Sequence, residues 1–360
     1  MTQFKKTSVA LAAAALASGA AFAQSSVTVN GVVDIGFSHR SDSFFDHQKS
    51  KNSVDSGQST GSRISFSGAE DLGNGNKAIF MLEAGFSTDT GSHADPAGQL
   101  FNEQAYLGLT GNWGTAIAGR LVTPRHEFLR ALDPFHAGTT GSYRNVYNDV
   151  PLTDVDRVNN TVAYVSPSFS GFNVTAAYAT DAVGEENPGG TGDARVIALL
   201  PRYANGPLDI GVSYQHIKIK APSGFSDTKQ KQWTLGGSYD FGALKLSAAY
   251  DSAKLDDGSY SDKLKTWLLG VSVPFGQHAV QASWSQSKYR IADRSSGEKA
   301  RQWAIGYTYD LSKRTTFYSA YSSIRNDDRR TSTVGDAHHP VLPEGEGYQK
   351  GFQLGLRHAF

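Results

Sequence analysis

Apolar and aromatic side chains occupy every second position in segment after segment of this chain, and that alternation limits its folds more than any other feature. In the closing residues Tyr348, Phe352, Leu354, Leu356 and Phe360 share one parity, with Lys350 and His358 among them. Gln349, Gly351, Gln353, Gly355, Arg357 and Ala359 fill the other. Successive side chains of an extended strand point to opposite faces, so a period of two gives one greasy face and one polar or small face. Leu208, Ile210, Val212 and Tyr214 repeat the pattern against Asp209, Gly211, Ser213 and Gln215. Trp303, Ile305, Tyr307 and Tyr309 do so against Gln302, Ala304, Gly306 and Thr308. The chain is read as all-β.

Such strands suit either a soluble sandwich or a membrane barrel, and composition helps to choose. Only 39% of the 360 residues are hydrophobic, yet there are 38 Gly, 16 Tyr and 19 Phe. Past the N-terminal segment no apolar run approaches the ~18 residues a spanning helix needs. The apolar parity is long, repeated and tipped with Trp and Tyr, whose amphipathic rings suit the headgroup level. The opposite parity is polar enough to line water. A transmembrane antiparallel β-barrel is expected, with a large soluble sandwich as the alternative.

Connection lengths sharpen the expectation. Short turns fall at 72–76, 111–114, 167–171, 205–207, 241–242, 274–277 and 310–313. Between them lie longer polar stretches at 39–60, 89–100, 121–159, 182–193, 219–229, 255–262, 291–298 and 326–347. Seven short turns alternating with eight long loops predict sixteen strands with both termini on the short-turn side. Outer-membrane barrels have this asymmetry, with long loops outside and short turns in the periplasm. Closure also removes the unpaired edges that hydrocarbon would not tolerate.

Lys5 and Lys6, the apolar run Val9 to Ala17 and the small-x-small triplet Ala21-Phe22-Ala23 form a secretory signal layout. Residues 1–23 are expected to be removed, leaving a barrel of residues 24–360. There is no cysteine, so a secreted chain of this kind relies on its core or on backbone closure. With 34 basic and 34 acidic residues the net charge is +0, which gives no general pull toward nucleic acid.

The stretch 121–159 is too long for a mere connector and carries Phe128, Leu129, Leu132, Phe135, Tyr143, Val146 and Tyr147, so it is expected to fold inward and pack. Charges around it fit a selectivity constriction, where fixed charge and pore width sort solutes. Arg63 lies beside Ser65 and Ser67. Arg120 shares parity with Ala116 and Ala118, assigned to the lumen, and Arg157 shares parity with Asn159 and Thr161. Lys245 also falls on the lumen parity, and the loop supplies Glu127, Asp133, Asp149, Asp154 and Asp156. Arginines facing an acidic loop are expected to set up a transverse field.

Nine stretches in order carry a family resemblance, among them Ser25–Gly36 (SSVTVNGVVDIG), Gly61–Phe86 (GSRISFSGAEDLGNGNKAIFMLEAGF), Gln104–Arg120 (QAYLGLTGNWGTAIAGR), Asn159–Phe172 (NNTVAYVSPSFSGF) and Gly355–Phe360 (GLRHAF). The chain resembles the trimeric general-diffusion porins of β-proteobacteria over essentially its whole mature length. The resemblance implies a homotrimer of sixteen-stranded barrels, each with an inward-folded third loop, set among outer-membrane lipid and lipopolysaccharide. It implies passage of ions and small hydrophilic solutes. It also implies that Phe360 is read by the β-barrel assembly machinery. The family's arginine cluster maps to Arg63 and Arg157. A third family arginine stands before the QAY motif, where this chain has Glu103, on the parity of Ala105 and Leu107. A positive site turned negative implies a weaker anion preference than the family's typical member.

Catalysis finds no support. No G-x-S-x-G elbow stands out, no H-E-x-x-H pair occurs, and nothing resembles a phosphate-cradling glycine loop before a helix. The His338-His339 pair lacks a third ligand at a zinc-like spacing. No cofactor or metal is expected. A substrate-selective porin and an adhesin or receptor barrel remain as alternative readings.

Overall fold

A computed structural model of the chain describes residues 26–44, 50–94, 98–147, 155–182, 190–292, 297–327, 330–335 and 347–360. Residues 1–23, expected to be a signal segment, lie outside them. The first strand, β1 (Ser26–Ser43), pairs antiparallel with the last, β17 (Tyr348–Ala359), from Val32↔Ala359 to Ser43↔Tyr348. The sheet is therefore closed. Two short strands, β2 (Ser50–Ser56) and β3 (Arg63–Gly73), pair with successive halves of β1 and act as one interrupted wall strand. The ring continues through β4 (Asn76–Gly85), β5 (Gln104–Gly111), β6 (Gly114–Val122), β7 (Arg157–Val165), β8 (Phe172–Ala179) and β9 (Ala194–Asn205). It is completed by β10 (Leu208–Ile219), β11 (Thr228–Asp240), β12 (Lys245–Asp256), β13 (Ser261–Phe275), β14 (His278–Arg290), β15 (Glu298–Asp310) and β16 (Thr315–Asn326). Each strand pairs antiparallel with its sequence neighbour, and with β2 and β3 counted together the wall has the sixteen strands the turn spacing predicts.

Alternation sorts the two faces. Trp233 and Leu235 are about half exposed on the outside, while Gln232 and Thr234 between them are fully buried inside. Two connections differ from expectation. The stretch 39–60 is largely strand, because β1 runs on to Ser43 and β2 pairs with it. The stretch 121–159 loses residues to β6 and β7 at its ends, and its first part is a helix, α1 (Pro124–Leu132). Thr123 caps that helix by accepting from the His126 amide at 3.3 Å, and Pro124 fits the first turn, where a missing N–H costs nothing.

The helix and the residues after it run across the inner wall. Phe128, Leu129, Tyr143, Val146 and Tyr147 are fully buried. Their seat is a track of glycines on β10, β11, β13, β15 and β17. A Cβ on Gly211 would meet Phe128 at 3.1 Å, on Gly236 Leu132 at 2.5 Å, and on Gly270 Pro134 at 2.5 Å. Further along, a Cβ on Gly306 would meet Phe135 at 2.6 Å and one on Gly351 Thr140 at 2.1 Å. Polar ties fix the register. Arg125 Nε contacts Asp251 Oδ2 at 3.0 Å with both side chains fully buried, and Asp251 also accepts from Gln232 and Thr234. Asn145 Nδ2 donates to Gln302 Oε1 at 2.7 Å, and the Thr140 amide donates to Gln353 Oε1 at 2.6 Å.

Candidate functional site

On the opposite wall the segment 123–147, together with Asp156, faces an open cavity of about 580 Å³. The interruption between β2 and β3 forms one of its edges. Asp34 on β1 holds that bend: its Oδ2 accepts from the Ser59 and Thr60 amides at 3.2 and 3.0 Å, and its Oδ1 accepts from the Tyr318 hydroxyl at 2.6 Å. The bend touches the crossing segment, whose Thr139 amide donates to the Gln58 carbonyl at 2.5 Å. Gly138 is needed there, since a Cβ would fall 1.9 Å from the Ser59 carbonyl oxygen.

Five arginines border the cavity (Arg63, Arg120, Arg130, Arg144, Arg157), together with four carboxylates (Glu83, Glu103, Glu127, Asp156). Most are paired. Arg63 Nε meets Glu83 Oε2 at 3.2 Å, and its Nη1 donates to Thr60 and to the Gly61 carbonyl. Arg157 pairs with Glu103 and, at 2.8 Å, with Asp156. Asp156 also meets Arg144 at 3.4 Å. Arg120 donates to the Asn102 carbonyl at 2.7 Å and to Asn159 Oδ1 at 2.5 Å. Arg144 is buried, but the other groups are partly exposed, where ion pairs steer charge more than they hold the fold together.

The predicted residues sort unevenly. Arg63, Glu103, Arg120, Glu127, Asp156 and Arg157 come together around this space. Asp149 and Asp154 lie outside the described residues, as does the His338-His339 pair. Asp133 does not face the cavity. It is buried, and its carboxylate accepts from the Phe135, Ala137 and Tyr143 amides at 3.2, 3.0 and 3.3 Å, bracing the turn after α1. Burial pushes its carboxyl up to about 6 against the lowering effect of those amides. Lys245 does not border the cavity either. It sits on the inner face at the short-turn end of β12, opposite Asp240. Alternation gives the face of a residue but not its height.

Arg120 reaches the interior by a different route from the one parity suggests. Ala118 pairs across Leu107 and Val162, both well exposed, so Ala116 and Ala118 belong to the outer face. The register shift between Gly119 and Leu121 breaks the alternation beside Arg120.

The expected contrast of basic wall and acidic loop is also replaced. The wall supplies Glu83 and Glu103 against its own arginines, and the crossing segment brings Arg130 and Arg144 as well as acids. Sequence reading passed over Glu83 because β4 is apolar on both faces. Its signal is the hairpin pairing with Ser65, a polar residue on the parity of Arg63. Arg130 and Arg144 lie on the same segment as its acids, and their basic charge in the sequence is the signal that it is not a purely acidic loop.

The comparisons agree with this architecture. A family model described as Gram-negative porin matches residues 10–329. Outer membrane porin protein 32 of Delftia acidovorans is 36% identical over 370 residues, covering 99% of this chain and 100% of its own. An outer membrane porin protein of Bordetella pertussis is 32% identical, covering 92% of this chain and 98% of its own. Among solved structures, an anion-selective porin from Comamonas acidovorans superposes with a TM-score of 0.79 at 32% identity, over 94% of this chain and 100% of that one.

Proposed function

The chain belongs to the Gram-negative porin family, a channel of the outer membrane, and on that premise we propose that its constriction is a charge-balanced filter with weak ion selectivity. The observation that carries this reading is Glu103 paired with Arg157 at the cavity edge. Each wall arginine that would attract anions has a carboxylate or carbonyl at hand, and Arg63 and Arg157 each pair with a wall glutamate. The net fixed charge presented to a passing ion is therefore small, while the local field stays strong. Small polar solutes pass by orienting in that field, and bulk selectivity between anions and cations is low. The solved relative described as anion-selective provides the contrast.

Single-channel conductance in planar bilayers, with reversal potential across a salt gradient, tests the reading. The expected result is large steps, no saturation by any one solute, and a reversal potential near zero. Glu103→Arg then moves the reversal potential toward anions, and an unchanged value would sink the proposal. Block by a particular solute would favour a substrate-selective channel instead.

For assembly we propose cleavage after Ala23, a trimer of barrels, and reading of the last strand by the assembly machinery. The last of these draws support from Phe360, whose backbone closes the seam with Gly31 in two hydrogen bonds at 3.1 and 3.2 Å. N-terminal sequencing and the mass of the native complex in detergent test the first two. Membrane insertion of a chain lacking Phe360 tests the third.

A further inference from the structure

The inner face of β4 to β6 departs from the rule that water-facing positions of this barrel are polar. Glu83 borders the cavity, and Met81 and Ile79 follow it in two-residue steps on the same face, toward the short turns. Met81 pairs with Tyr106 and Ile79 with Gly108 on β5, and Gly108 pairs with Ile117 on β6. Leu107 and Leu109 are well exposed on the outer face, which puts Tyr106 and Gly108 inside. Ile79, Met81, Tyr106 and Ile117 therefore stand together on the lumen wall, directly below the charged aperture.

The crossing segment does not account for this patch. Its helix α1 packs on β8 to β12, and the turn Tyr143–Val146 packs on β14 and β15. All four side chains are only half-buried. A Cβ on Gly108 would meet Ile117 Cγ2 at 2.5 Å, so the glycine lets Ile117 lie flat on the wall. Among the described residues the Tyr106 hydroxyl forms no hydrogen bond. An apolar surface left to water beside a few convergent polar groups has the composition of a small-molecule site. The polar groups are the Arg63–Glu83 and Arg157–Glu103 pairs, each a guanidinium beside a carboxylate. Two residues along a strand span ~7 Å, so a charged head at Glu83 leaves room for one ring over Met81.

We propose that this patch, with the ion pairs above it, takes up solutes that carry a zwitterionic head on an aromatic body, the chemistry of aromatic α-amino acids. A head of both signs lies across Arg63 and Glu83 with each charge meeting its opposite, which a single ion cannot do. The ring rests on Met81, Tyr106 and Ile117, where ring–ring and thioether–ring contacts are favourable. The contact is weak, with a dissociation constant on the order of millimolar, so it raises flux at low concentration without saturating the ion current. The head-group half of the proposal rests on the charge-balanced filter, and the apolar half does not.

The test follows entry of labelled L-phenylalanine and L-glutamine, at equal micromolar concentration, into liposomes holding the full-length protein, with leakage into protein-free liposomes subtracted. Phenylalanine is expected to enter ~threefold faster or more, the scale of one aromatic contact. M81Q/I117T brings the two rates together, while its single-channel conductance stays parental and reports a folded channel. Tyr106→Phe keeps the preference. Phenylethanesulfonate, which lacks the ammonium, and phenylethyl trimethylammonium, which lacks the carboxylate, both enter more slowly than phenylalanine. Equal entry of the two amino acids in the parent, or an undiminished preference in M81Q/I117T, overturns the proposal. Entry of either single-charged analogue as fast as phenylalanine overturns the zwitterionic head. A reversal potential far from zero in the parent breaks the filter reading by itself, whereas loss of the phenylalanine preference with a reversal potential near zero breaks only this proposal.

Discussion

The inner wall solves the problem of a crossing segment in two ways. From β10 to β15 the segment lies against it, and the wall there is glycine plus neutral polar side chains such as Ser213, Thr266 and Ser285, all buried. Asp251 is a fully buried charge under the cover, and it is matched by Arg125 from the segment itself. From β3 to β7 the segment stands off, water has room, and the wall carries arginines and glutamates. Charge persists where solvent can reach it, and where solvent is excluded a charge survives only with a partner. The filter is therefore carried by one half of the ring and the mooring by the other.

The mooring can be broken at the buried Arg125–Asp251 pair. Asp251→Leu leaves Arg125 buried without its partner, and losing one member of a buried pair costs about 3–5 kcal/mol. The segment is expected to leave its seat, raising single-channel conductance and exposing residues 123–147 to protease. Arg125→Met combined with Asp251→Leu restores parental conductance, because an apolar replacement of the whole pair is tolerated. Parental behaviour in the single variant would show that the glycine track alone holds the segment.

The track offers a milder break. Gly306→Val drives a methyl group into Phe135, and overpacking of this kind costs about 1–3 kcal/mol. Conductance is expected to become noisier while ion selectivity is unchanged, since the charged half is untouched. A shifted reversal potential in this variant would argue that the two halves are not separable.

On the charged half, Glu83→Gln frees Arg63 and is expected to move the reversal potential toward anions by less than Glu103→Arg does. The first removes one negative charge and the second changes the site by two. Equal shifts would place Glu83 nearer the ion path than its pairing suggests.

The smallest effect is on pH. The folded carboxyl of Asp133 titrates near 6, above its ordinary value of 3.8. A raised carboxyl gives stability that is complete below the ordinary value and lost as pH rises through about 6. The turn after α1 is therefore held more firmly at pH 5 than at pH 8. Hydrogen exchange of the 135–143 amides, corrected for the intrinsic rate, measures the difference, and Asp133→Asn flattens it.

Most of the wall was legible because alternation is a local property of the chain. Leu208 to Tyr214 and Trp303 to Tyr309 declare their faces without reference to any partner. The apolar residues from Phe128 to Tyr147 announced that their segment would pack, and each of those named is buried. What could not be read depends on height and irregularity. Lys245 has the right face at the wrong level. Arg120 reaches the cavity beside a register shift that period-two counting cannot contain. Asp133 looks like any loop acid until three amides converge on it, an arrangement that depends on the three-dimensional turn. Glu83 was masked by a strand whose neighbours on both faces are apolar.

The bend held by Asp34 also bears on how the protein is made. Its carboxylate gathers the Ser59 and Thr60 amides from the interruption in the second wall strand and the Tyr318 hydroxyl from β16, next to the last strand and 284 residues away in sequence. Contacts of such separation form late, after the long intervening loops have closed. Sealing the ring and completing the aperture are thus one event. A chain that has joined its first strand to its last has its filter in place, and an unsealed intermediate has no finished filter through which the envelope could leak selectively.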